Sequence, residues 1–194
     1  MTKASAVDWF AAGFGVDDAA DWRAAGFEPA EAVGWRVAGF NPAEAADWRA
    51  GGLEPAEAVG WRATGFYVYS DAVAWRAAGF DDLAAASWHR AGFEPAEAAE
   101  WRADKFKFAH VAADWRRAGC NPAEAAAWIK AGVDFACDAL AWTKAGIEPA
   151  ESAAWRGAGF DFGSEAERWC HAGFDPAEAG LLTRIGYNYP EDLP

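Results

Sequence analysis

Methionine occurs once in this 194-residue chain, and cysteine and histidine three times each. Three cysteines are too few, and odd in number, for a disulfide framework. No CxxC, HExxH or paired-histidine spacing occurs, so no metal ligand set and no cofactor is expected. No apolar run approaches the ~18 residues of a membrane span. The opening MTKASAVDWFAAGFGVDD lacks the apolar core of a signal peptide, which makes cytoplasmic the expected location. Basic residues are also scarce, 17 Lys and Arg against 30 Asp and Glu, for a net charge of −13. That balance argues against direct binding to nucleic acid or an anionic membrane, since both need clustered Lys and Arg. Nucleophile elbows, phosphate loops and dinucleotide fingerprints are missing too, and Gly13-Phe14-Gly15 starts no GxGxxG pattern. A protein without catalytic residues, not an enzyme, is expected.

Aromatics and glycine are abundant instead: 13 Trp, 13 Phe and 20 Gly, in a chain that is 53% hydrophobic. That much to bury excludes wholesale disorder. The tryptophans are Trp9, Trp22, Trp35, Trp48, Trp61, Trp75, Trp88, Trp101, Trp115, Trp128, Trp142, Trp155 and Trp169. Successive gaps are 13 or 14 residues, and Leu182 takes the next place. The repeated unit is close to Phe-x-Pro-Ala-Glu-Ala-x-x-Trp-Arg-x-Ala-Gly, clearest over 27–39, 40–52 and 53–65. A fixed period over nearly the whole chain predicts a single repeat domain, 1–194, with no separate catalytic domain. Residues 181–194 read as an atypical end in which the last repeat is incomplete.

Each unit spells one short helix. Asn41-Pro42-Ala43-Glu44 supplies an N-cap, a proline preorganised for the first turn and the Glu of a capping box. Asn121-Pro122-Ala123-Glu124 and Asp175-Pro176-Ala177-Glu178 repeat it, whereas Glu28, Glu54, Glu94 and Glu148 are weaker caps. Glycine stands four residues after the anchor in thirteen of fourteen units. Gly26, Gly39, Gly52, Gly65, Gly79, Gly92, Gly119, Gly132, Gly146, Gly159 and Gly173, flanked by Gly13 and Gly186, are therefore helix stops of the Schellman kind. In that ending Trp and the Phe after the glycine are the two side chains that touch. Lys105 replaces the glycine once, predicting an irregular or strained helix end there.

Helices of about 10 residues measure roughly 15 Å. A three-residue link spans at most about 10 Å, so consecutive helices must reverse or cross steeply. The fold class is all-α: an α-solenoid or superhelix of about fourteen short helices, stabilised by their neighbours. Four units open with an aromatic-rich segment one residue longer, at Phe66, Phe106, Val133 and Phe160, and Tyr187-Asn188-Tyr189 starts a fifth. Later units alternate to give a 27-residue helical pair, while the 40-residue spacing of Trp35, Trp75 and Trp115 suits three-helix turns. Both geometries fit the pattern.

The tryptophans carry Ala three residues earlier on the same helix face, the small-beside-large pattern of an interdigitated core rather than a stacking platform. A basic residue follows every Trp but Trp9 by one or two places, and acids cluster at helix starts, which complements the helix dipole. Asp21, Gly34, Asp47, Gly60, Ala74, Ser87 and Glu100, just before Trp, are the variable positions expected to face solvent. His110, Cys137, Ser70 and Ser164 share one place, five residues before Trp, with Ser164 and Glu167 spaced as a capping box. These marks point to a protein-binding scaffold whose partner is another protein. The acidic surplus keeps a DNA-mimicking inhibitor as an alternative. The apolar Gly180-Leu181-Leu182-Thr183-Arg184-Ile185 end allows self-association through the array ends.

Overall fold

A computed structural model describes residues 4–194. The described residues form fourteen α-helices and one 3₁₀ turn, without strands. They divide into two compact units, 1–96 and 97–194. The first holds α1 (Ala6–Ala11), α2 (Val16–Ala24), α3 (Pro29–Val37), α4 (Pro42–Ala50), α5 (Pro55–Ala63), α6 (Tyr69–Ala77) and α7 (Asp82–Arg90). The division falls within α8 (Pro95–Ala103). The second holds α9 (Ala109–Arg117), α10 (Pro122–Lys130), α11 (Ala136–Lys144), α12 (Pro149–Ala158), α13 (Gly163–His171), α14 (Pro176–Arg184) and the turn Pro190–Asp192.

Helix starts follow the cap chemistry. Asn41 accepts from the Glu44 N–H at 2.9 Å, and the Glu44 carboxylate accepts from the Asn41 N–H at 3.2 Å. Asn121 with Glu124 and Asp175 with Glu178 repeat this reciprocal box. Ser5 and Asp8 form another, and the Ser5 hydroxyl holds the Asp8 carboxyl below its ordinary pKa. Ser164 behaves differently from its spacing. The N-cap of α13 is Phe162, whose N–H is accepted by Glu165 at 3.4 Å, and Ser164 lies inside the helix. Ser70, His110 and Cys137 are likewise second residues of α6, α9 and α11. In these units the helix still begins six residues before Trp. The Trp register fixes the start, so the link absorbs the extra residue.

The ends repeat one geometry. Thirteen glycines have φ between 73° and 107°, the left-handed conformation that glycine adopts without a Cβ clash. At each stop the hydrogen bonds are those of a Schellman ending: Gly26 N–H donates to Arg23 O at 3.1 Å and Phe27 N–H to Trp22 O at 3.0 Å. Lys105 makes the same pair, to Arg102 O and with Phe106 to Trp101 O, at φ 73°. The end of α8 is therefore regular in hydrogen bonding. Its strain sits in the Lys105 backbone alone.

All thirteen tryptophans are 0–4% exposed. Nine of them meet a Phe five residues on edge to face, as in Trp22–Phe27 at 5.1 Å and Trp169–Phe174 at 5.4 Å. Phe14, Phe27, Phe40, Phe66, Phe80 and Phe160 also touch the next Trp, as in Phe27–Trp35 at 6.4 Å and Phe160–Trp169 at 6.5 Å. Leu53 in the first unit, and Val133 and Ile147 in the second, take the Phe place and are equally buried, while Cys120 takes it after Trp115 and is half-buried. The alanines three before Trp, from Ala32 to Ala179, are fully buried, with Ser152 in the same place.

Within each unit helices pack on both n+1 and n+2, as in α6 on α7 and α5 on α7 in the first and α11 on α12 and α13 in the second. The start of helix n+2 leans on the residue just before Trp in helix n. A Cβ at Gly34 would lie 3.5 Å from Pro55, and one at Gly60 would lie 2.8 Å from the Asp82 carboxylate. At Gly163 it would meet the Trp142 backbone nitrogen at 2.5 Å. Gly60 is thus half-buried rather than solvent-facing, whereas Asp21, Gly34, Asp47, Ala74, Ser87 and Glu100 are exposed. Each unit is accordingly a helical-repeat array in two-helix layers, with pairs of 26 or 27 residues in the first unit and 27 in the second, not three-helix turns.

Candidate functional site

The residue after Trp is where the repeat departs from a simple dipole argument. Arg49, on α4, donates to the Gly26 and Ala25 carbonyls at 3.0 and 3.2 Å, beyond the end of α2. Its guanidinium lies 3.8 Å over the Phe27 ring and 3.2 Å from Glu31. Arg36 reaches Gly13 O at 2.8 Å, Arg62 reaches Gly39 O at 3.3 Å, and Arg76 reaches Gly52 and Gly51 at 2.8 and 2.9 Å. Arg156 donates to the Ala131 and Gly132 carbonyls in the second unit. These arginines fasten helix n+2 to the carbonyl end of helix n. They do not merely balance the end of their own helix. A guanidinium does this well because it is planar enough to stack on the ring and forked enough to take two carbonyls.

The exceptions in that column are Phe10, His89, Ile129, Thr143, Cys170 and Thr183. His89 keeps part of the role, its ring 5.5 Å from Phe66. Ile129 removes it. By the 23-to-25-residue offset of the other clamps, its target is the end of α8, where Lys105 replaces glycine. The two departures from the repeat therefore face each other. Between them lies a groove of about 640 Å³, in the range of ligand-binding clefts. Phe108, Val111 and Ile129 form its apolar lining, with Lys105, Lys107 and Lys130 around it and Asp104 beside them. Three of the chain's five lysines thus meet at one place in a chain of net charge −13. No ion pair among the described residues engages any of the three.

Phe108 also belongs to a second pattern. It is the N-cap of α9, Phe135 caps α11, Phe162 caps α13 and Tyr189 caps the 3₁₀ turn, at 27-residue intervals. They are 64%, 66%, 52% and 49% exposed. The Arg168 guanidinium covers the Tyr189 ring at 4.3 Å, and Glu191 pairs with the same arginine at 3.3 Å. The aromatic-rich openings at Phe106, Val133 and Phe160 announced these residues in the sequence. What their sequence spacing left out was which hydrophobic residue of each pair is buried: Phe106, Val133 and Phe160 are, and the aromatic two residues on is not.

The remaining candidates lie apart. His110 is exposed, its ring 5.7 Å from Phe108, and Cys137 is exposed at the start of α11. Cys120 and Cys170 are half-buried, and burial, with Glu124 nearby, pushes the Cys120 thiol pKa up. Among the described residues no group of three His, Cys, Asp or Glu side chains is placed to hold a metal ion. No helix among them is long and apolar enough to cross a membrane. Comparison of the chain with protein-family models, with curated proteins and with solved structures returns no match.

Proposed function

We propose that this chain is a non-catalytic, cytoplasmic helical-repeat scaffold that binds another protein along the aromatic edge of its second unit. The observation that carries the reading is the exposed series Phe108, Phe135, Phe162 and Tyr189. Large exposed aromatics in a regular series are what protein interfaces concentrate. Their position adds weight. Ser, Thr, Asp or Asn at an N-cap stabilises a helix by about 1 kcal/mol over residues without a capping oxygen. Phe108, Phe135 and Phe162 forgo that gain and, being exposed, contribute little to the core. Stability at each of these starts is lower than the chain could make it, and a binding surface is the return.

Replacing Phe135 and Phe162 with Ser tests this. The double variant keeps its helical circular dichroism and melts no lower than the wild type, because Ser caps better. Partners captured by crosslinking to the wild type are lost from it. An unchanged set of crosslinked partners refutes the reading. Self-association is a second reading, supported by Leu181 on α14 and Ile185 at its C-cap, 60% and 71% exposed. Leu181→Glu would then shift the light-scattering mass towards the monomer, and a wild-type mass constant with concentration removes the idea.

A further inference from the structure

We infer that the groove between the end of α8 and α10 is a docking site for an acidic peptide segment with an apolar anchor, carried by a partner protein. The inference rests on the scaffold reading and specifies where one partner segment sits. Two observations converge on it independently. The first is backbone strain. Lys105 is the sole non-glycine with positive φ among the described residues, at a place where thirteen units use glycine. A lysine in the left-handed region costs about 1–2 kcal/mol, and residues kept under strain cluster at functional sites. The second is the missing arginine. Had Ile129 been Arg, its side chain would extend towards Phe106 and the end of α8, as Arg49 extends towards Phe27 and the end of α2. Ile129 leaves that space open.

The lining decides the occupant. Phe108 is 64% exposed and Ile129 39%, so the described residues leave much of the apolar lining uncovered. Lys105, Lys107 and Lys130 against the single Asp104 make the surroundings cationic. A carboxylate-rich segment complements that charge, and one or two of its apolar side chains fill a groove of about 640 Å³. Lysine suits the task because its flexible point charge follows a carboxylate without requiring one fixed geometry. Phe108 opens the aromatic series, so a segment seated here continues onto the proposed interface.

The test uses the full chain and a fluorescein-labelled synthetic peptide of leucine and phenylalanine anchors flanked by glutamates. Anisotropy rises saturably with the wild type. The triple variant Lys105→Glu, Lys107→Glu and Lys130→Glu weakens binding by at least about tenfold, since each exposed pair is worth roughly 0.2–1 kcal/mol and all three reverse sign. Ile129→Arg separates a shaped groove from bare charge: it adds a cation yet weakens binding, because the restored clamp fills the space. Circular dichroism of each variant matches the wild type, as the four positions are exposed. Absence of saturable binding to the wild type overturns the proposal. So does an Ile129→Arg variant that binds as tightly as the wild type, or binding of phosphatidylserine vesicles in place of the peptide. If the triple variant still captures the partners that the Phe135→Ser, Phe162→Ser variant loses, the groove assignment falls and the scaffold reading stands.

Discussion

Lys105→Gly should make this protein more stable, although it removes a whole side chain. The side chain is exposed, and the backbone hydrogen bonds that close α8 are those of every other unit. What changes is conformational. Holding an L-residue at φ 73° costs about 1–2 kcal/mol. Against that, glycine gives the unfolded chain more freedom, which offsets about 0.4–1 kcal/mol. The difference leaves a gain of roughly 0.5–1 kcal/mol, or about 1–4 °C in melting temperature for a chain of this length. The assay is urea and thermal unfolding followed by tryptophan emission. Gly119→Ala is the mirror control: φ is 89° and a Cβ there meets nothing within 4 Å, so only backbone strain enters. It should lose what Lys105→Gly gains. A Lys105→Gly variant less stable than the wild type, with Gly119→Ala neutral, would refute the reasoning, because the helix stops would then not depend on the left-handed conformation. Stabilisation combined with weaker peptide binding is the pattern expected of a residue kept for the groove.

Two glycine-to-alanine changes in helices should move stability in opposite directions. Gly163→Ala drives a Cβ to 2.5 Å from the Trp142 backbone and should cost about 1–3 kcal/mol by overpacking. Gly157→Ala meets nothing and should gain about 0.5–1 kcal/mol from helix propensity, both read as urea midpoints. Arg49→Ala removes two carbonyl bonds and the stack on Phe27, costing about 1–2 kcal/mol, and Arg49→Lys should recover less than half of it in the same titration. Under alkylation by iodoacetamide, followed by mass spectrometry, exposed Cys137 should react before Cys120, whose thiol is half-buried with its pKa raised.

The helix starts, the glycine stops and the Trp–Phe contact were legible because each depends on residues within about one turn, where cap and stop chemistry is local. The two-helix layering was not, since it rests on contacts 23 to 25 residues apart. The arginine column could be seen, but dipole complementarity explained it just as well until Arg49 was found over Phe27. Ser164 misled because Ser-x-x-Glu is a capping box only at a helix boundary, and the Trp169 register moves that boundary two residues earlier. The groove was half visible. Lys105 stood out as a broken rule in the sequence, whereas Ile129 looked like an ordinary apolar substitution. Only the pairing of helix n+2 with helix n brings them together. Exposure of Phe108, Phe135 and Phe162 was hidden because aromatic pairs such as Phe160-Asp161-Phe162 do not say which ring the core takes.

The central claim is that tryptophan in this chain is architecture and that recognition belongs to the positions where the repeat breaks. Acrylamide quenching of tryptophan emission, with and without the acidic peptide, tests it most directly. With every Trp 0–4% exposed, the native protein should be quenched far more weakly than the urea-unfolded chain, and peptide binding should leave the value unchanged. Native quenching close to that of the unfolded chain, or strong protection on adding peptide, would show tryptophans on the surface and contradict the account.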